Sequence, residues 1–127
     1  MKNSRSFAPP TLYSYASCDT CRRATRWLTS HGIHFVEKPI RETPPGKADL
    51  RRGLEAVRGD YRKIFNTSGR DYRAHSIGEL LPTLNEAQVL DRLASNGNLI
   101  KRPFLVTDRF VLVGFNETAW AAAFAGA

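Results

Sequence analysis

A disulfide framework, a bilayer-length apolar run and a basic tract are all missing from this sequence. Its 127 residues contain two cysteines, too few for a disulfide framework, so the fold must rest on an ordinary hydrophobic core, which a chain of this length can bury as one domain. No apolar run approaches the length needed to cross a bilayer. Residues 1–10 carry Lys2 and Arg5 but no apolar h-region. Nothing there marks the chain for export, and a cytoplasmic location away from membranes is expected. Internal repeats and low-complexity segments are absent too. The net charge of +7 and isoelectric point near 9.9 suit an acidic partner or plain solubility. The basic residues are scattered, however, as in Arg5, Arg22, Arg23, Arg26, Arg51, Arg52, Arg62, Lys63, Arg70 and Arg73. No DNA- or RNA-binding motif accompanies them, so direct nucleic-acid binding is not the favoured reading.

What is present is Cys18-Asp19-Thr20-Cys21. It follows a strand-like run, residues 12–15, and leads into residues 22–30, which read as a helix keeping Ala24, Trp27 and Leu28 on one face. Both sulfurs therefore sit at a helix start. Unpaired backbone N–H groups and the positive end of the macrodipole favour a thiolate there, Arg22 and Arg23 add positive charge, and Asp19 partly offsets it. Two plainer readings compete. A zinc site would need His31 or His34, but a helix from Cys21 carries His31 about 15 Å down the axis, too far to share one tetrahedral ion. A purely structural disulfide would close so short a loop that it adds little stability. In a reducing compartment the pair reads as redox-active.

Pro9-Pro10 ends a flexible leader, residues 1–10, and residues 11–127 form the domain. Gly32 closes the first helix and residues 33–38 give a second strand, completing a parallel βαβ unit. Residues 38–46, rich in proline, read as a linker. Leu50, Leu54 and Val57 recur at helical spacing over residues 47–58, weakened by Gly53. Residues 61–66 suggest a helical turn and residues 66–71 a polar turn. Ser76 can cap a short helix ended by Pro82, and Thr83 opens a longer one closed by Asn96-Gly97-Asn98. Residues 104–107 and 110–113 form an antiparallel hairpin about Asp108-Arg109. Asn116 caps a last helix over residues 118–124. The expected fold is α/β and thioredoxin-like: a mixed four-stranded sheet flanked by helices, with a helical insertion between the βαβ unit and the C-terminal ββα unit. Trp27, Phe35, Phe104 and Phe110 are expected in the core, and His31, His34 and His75 at the surface.

The order of motifs resembles the arsenate reductase-related family of thioredoxin folds, which contains glutathione/glutaredoxin-dependent arsenate reductases and the Spx/MgsR regulators. The resemblance spans about residues 11–124. It rests on Cys18 to Ala24, on Trp27-Leu28, on Leu99-Ile100-Lys101-Arg102-Pro103-Phe104-Leu105-Val106 and on Val113-Gly114-Phe115-Asn116-Glu117. It implies a thiol oxidoreductase in which Cys18 is the nucleophile and Cys21 resolves the mixed disulfide, with Arg102 binding an anion beside a cis Pro103, and with Thr20 and Arg22 near the substrate. Thr20 either donates to the Cys18 sulfur or is simply a good first-turn residue. Arg102 could likewise be a plain surface cation.

Arsenate reductases of this class use two further arginines, at places held here by Asn66 and Gly114, so arsenate reduction is not expected unless Arg62, Arg70 or Arg109 substitutes. They also generally lack the second cysteine. Spx-type members carry Cys-x-x-Cys as a redox switch and bind the C-terminal domain of the RNA polymerase α subunit. The implied partners are thus a small thiol or anionic substrate, a redox partner protein or that polymerase domain. No bound cofactor is implied; glutathione, thioredoxin or glutaredoxin would serve as reductant.

Overall fold

The computed structural model describes residues 8–126. Most of the expected leader lies outside the described residues, and its end is already tied down: the Pro10 carbonyl accepts from the Val36 N–H at 2.8 Å. Four strands, β1 (Thr11–Ser14), β2 (Val36–Pro39), β3 (Phe104–Val106) and β4 (Val111–Val113), form one sheet in the order β2-β1-β3-β4. β1 runs parallel to β2 and antiparallel to β3, and β3 is antiparallel to β4. This is the mixed sheet anticipated from the alternation of periods along the chain.

The helices are α1 (Asp19–Ser30), α2 (Lys47–Ala56), α3 (Tyr61–Ile64), α4 (Arg70–Ala74), α5 (Ile77–Leu80), α6 (Glu86–Ser95) and α7 (Glu117–Ala125). Side chains alternate across the sheet as a period of two requires. Leu12 and Leu105 are fully buried with Ala24, Trp27 and Leu28 of α1 and Trp120 of α7 on one face. Tyr13, Phe104 and Val111 face the opposite core, shared with the helices of the insertion. Each fully buried large apolar side chain is worth about 1.5–3 kcal/mol of transfer free energy. Gly53 belongs to this packing: a Cβ there would lie 2.6 Å from the Phe104 ring, so its lack of a side chain lets α2 lie close on the sheet.

Several boundaries move, each for a local reason. β2 starts at Val36 rather than residue 33, because the Ile33 N–H is spent on the Leu28 carbonyl at the helix exit. It runs on through Pro39, which an edge strand tolerates. The polar turn expected over 66–71 closes by Gly69, whose N–H reaches the Asn66 carbonyl at 3.0 Å, and Arg70 opens α4 with Tyr72 buried. Ser76 makes no side-chain cap and has φ of 52°. α6 starts at Asn85 and Gln88, which cap each other's backbone reciprocally, while Leu81–Thr83 form a 3-10 turn. The Thr107 hydroxyl accepts from Phe110 N–H at 2.9 Å and caps the hairpin loop, shortening both strands by a residue at the turn. Asn116 caps α7 as expected, accepting from Ala119 N–H at 2.8 Å. Trp27 and Phe104 are core residues, Phe35 and Phe110 pack half-buried against the core, and His31, His34 and His75 are exposed.

Candidate active site

The loop from Tyr15 to Cys21 is built on itself. The Cys18 N–H reaches back to the Tyr15 carbonyl at 3.0 Å, turning the chain out of β1, and the Cys18 carbonyl accepts the first bond of α1 from Arg22 N–H at 3.1 Å. Cys18 is the N-cap residue, in extended backbone geometry, and its Sγ accepts from Cys21 N–H at 3.2 Å. A cysteine thus occupies the place where serine or aspartate usually satisfies an orphan donor.

Both cysteines are free thiols, and their surroundings differ sharply. Cys18 is half-buried, whereas Cys21 is 2% exposed. Burial pushes the Cys21 thiol from its ordinary 9.0 up to about 12, and its hydrogen bond to Cys18 adds to the rise. A backbone hydrogen bond at Tyr15 and the charge of Arg102 pull the other way without overcoming it. The sequence alone suggested a thiolate-favouring helix start for both sulfurs; at Cys21 desolvation outweighs it. His31 sits at the far end of α1, and among the described residues no three metal-ligating side chains cluster.

The Arg102-Pro103 peptide is cis, as the resemblance implied, and Pro103 is buried with its carbonyl accepting from Gly114 N–H at 2.8 Å. The register pairing Tyr13 with Phe104 continues to place Tyr15 beside Arg102. The Arg102 guanidinium carbon lies 4.7 Å from the Tyr15 ring centroid. Arg41 joins them. Its guanidinium lies 5.0 Å from the same centroid and donates to the Tyr15 hydroxyl at 3.0 Å.

Arg41 reaches this place because its backbone follows the end of β2. Ile40 N–H extends the parallel ladder to the Ser14 carbonyl at 2.9 Å, and the Ile40 side chain is fully buried. Behind it lies Gly97, where a Cβ would sit 1.9 Å from the Ile40 carbonyl oxygen. These segments wall a cavity of about 420 Å³ lined by Tyr15, Arg41, Asn66, Arg70, Asn98 and Arg102 together with Gly69 and Asp71. Asn66 is brought in by bonds across residues 64–66 and 99–101, with Lys101 N–H on the Ile64 carbonyl and Asn66 N–H on the Leu99 carbonyl, each 2.8 Å. Asp71 accepts from the Asn96 and Asn98 amides at 3.0 and 3.2 Å, which hold its carboxyl below the usual range.

Not every expected site residue gathers here. Arg22 is turned back on the loop, donating to the Ala16 carbonyl at 2.9 Å and to Asp19 at 3.2 Å, so it braces the motif and does not line the cavity. The Thr20 hydroxyl is not bonded to the Cys18 sulfur, which favours the plain first-turn reading. Asn66 is on the cavity wall. Gly114 has φ of 75°, a conformation that suits glycine and strains an arginine. Arg41, Tyr15 and Asn98 escaped sequence reasoning. For Arg41 the available signal was topological: residues leaving parallel strands emerge at the same end of the sheet, beside the loop after β1.

Residues 13–123 match the ArsC family. The uncharacterized protein YusI of Bacillus subtilis is 44% identical over 84% of this chain and 91% of its own length. The global transcriptional regulator Spx 1 of Lactococcus lactis is 33% identical over 84% of this chain and 81% of its own. A solved structure described as a possible arsenate reductase from Streptococcus mutans superposes with a TM-score of 0.83 at 35% identity, covering 92% of this chain and 99% of that one.

Proposed function

The chain belongs to the ArsC family, and on that premise we propose that it is a thiol–disulfide oxidoreductase in which Cys18 attacks and Cys21 resolves. The observation that carries this reading is the contrast within the pair: Cys18 is accessible at the N-cap, while Cys21 is buried and keeps its proton at neutral pH. The Cys18 thiolate attacks one sulfur of a disulfide RSSR, forming a Cys18–SR mixed disulfide and releasing RS⁻, which takes a proton from water. Cys21 then gives up its proton, attacks the Cys18 sulfur and expels the second RS⁻. The protein ends as the Cys18–Cys21 disulfide, having passed two electrons to the substrate. Glutathione, thioredoxin or glutaredoxin would return the dithiol form.

The test is direct. Reduced Cys21→Ser protein mixed with oxidised glutathione should accumulate one mixed disulfide, mapped by mass spectrometry to Cys18, and Cys18→Ser should form little. Equal modification of the two variants, or first labelling of Cys21 by iodoacetamide, would overturn the assignment. Arsenate turnover should be poor, because Asn66 and Gly114 stand where the reductases carry arginine.

A second reading, a redox-sensing regulator that binds the C-terminal domain of the RNA polymerase α subunit, is favoured by the similarity to Spx 1. Binding of that domain by the oxidised but not the reduced protein, in calorimetry, would establish it.

A further inference from the structure

We infer, resting on the thiol chemistry proposed above, that Arg41, Arg70 and Arg102 make the Tyr15 cavity a receptor for the anionic groups of a small disulfide, one that carries carboxylates or phosphates away from its sulfurs. Three observations converge. First, three guanidiniums line one cavity, and among the described residues none of the three forms an ion pair. Like charges gathered in one concave site repel one another, and an anion relieves that repulsion. Guanidinium forks match the geometry of carboxylate and phosphate. The one carboxylate on the wall, Asp71, is bound by the amides of Asn96 and Asn98 and offsets part of the Arg70 charge, which leaves the lining with more positive than negative groups.

Second, the volume of about 420 Å³ is that of a small-molecule site rather than of a lone tetrahedral ion. Third, the cavity adjoins the dithiol loop: Tyr15 carries the carbonyl that fixes Cys18, Arg102 stacks on the Tyr15 ring, and the Arg102 charge acts on Cys21. A ligand whose tail is held by Arg41 and Arg70 presents its sulfurs toward the loop. Arg41 and Arg70 lie outside the positions at which the resemblance places anion-binding arginines. The reaction is the exchange written above, one disulfide in and two thiols out, with the Cys18–Cys21 bond formed.

The test is single-turnover kinetics of the fully reduced protein with oxidised glutathione, which offers carboxylates, with coenzyme A disulfide, which offers phosphates, and with neutral 2-hydroxyethyl disulfide. The readout is the ratio of each anionic rate constant to the neutral one. In the wild type at least one ratio should be well above one and fall with added salt. In the Arg41→Ala/Arg70→Ala double variant that ratio should drop at least tenfold, with Arg41→Lys between the two. Arg92→Ala, outside the cavity, should keep the wild-type ratio. The disulfide that shows the drop identifies carboxylate or phosphate as the anion recognised. A wild-type ratio near one, or a ratio unchanged in both the double variant and Arg41→Lys, overturns the receptor while leaving the thiol chemistry intact. Failure of the wild type to form a mixed disulfide with any of the three sinks the oxidoreductase reading, and the receptor with it.

Discussion

The dithiol loop and the arginine cavity touch at Tyr15 but are made in opposite ways. The loop is seven consecutive residues whose backbone hydrogen bonds span only three or four positions, and its chemistry follows from a difference in burial between two cysteines. The cavity is assembled from four separate segments, at Tyr15, at Arg41, at Asn66 to Asp71 and at Asn98 to Arg102. Its chemistry follows from charge brought together by tertiary packing. Reactivity should therefore survive changes that loosen the fold, and selectivity should not.

The sharpest break in that comparison is Cys18→Ser. It should cut the reaction with every disulfide by about a hundredfold or more, charged or neutral, because Cys21 is shielded and protonated; stopped-flow mixing measures it. Next comes Gly97→Ala. Its Cβ collides with the Ile40 carbonyl, so urea denaturation should show a loss of roughly 3 kcal/mol. In the folded fraction, preference for anionic disulfides should fall while alkylation of Cys18 persists. A variant that kept its preference would show that the cavity does not depend on this contact.

A smaller and graded effect concerns pH. The folded state raises the Cys21 thiol from 9.0 to about 12, so the unfolded chain gives up that proton first as pH rises. Stability of the reduced protein should be level below about pH 9 on this account and then fall by about tenfold in the folding constant per pH unit toward 12. Cys21→Ala should flatten that slope, as chemical denaturation across the pH range would reveal. The smallest change expected is Tyr15→Leu. Losing two ring–guanidinium contacts and one hydrogen bond to Arg41, with water taking over the freed guanidiniums, costs about 1 kcal/mol, or roughly fivefold in the anionic-to-neutral ratio.

The same contrast explains what could be read beforehand. The loop was legible because its signals are local: a strand, a Cys-x-x-Cys spacing and an amphipathic helix lie adjacent in the chain. The mixed four-stranded sheet followed from the parallel βαβ unit and the antiparallel hairpin, and the Asn116 cap from its place before an alanine-rich run. Arg41 was not legible from its neighbours, since prolines at 39, 44 and 45 make that stretch look like a bare connection. Its role depends on the buried Ile40 and on Gly97, more than fifty residues away in sequence. For Arg22 proximity in sequence suggested a place near the substrate, and the structure shows its side chain bonded to Ala16 and Asp19 and outside the cavity lining.

The placement of the tryptophans gives the molecule an uneven optical signature. Both of them, Trp27 and Trp120, lie in the α1/α7 core with ring centroids 5.8 Å apart and nearly perpendicular, and the Trp120 indole N–H donates to the Gly114 carbonyl at 3.0 Å. Exposed His31 stacks on Trp27 at 4.0 Å. Ultraviolet emission therefore reports on one side of the sheet alone, from two indoles one of which is stacked against a histidine. The helical insertion on the other side, with the arginine cavity at its edge, contains tyrosines but no indole, so it could loosen or take up a ligand while the tryptophan signal stays still.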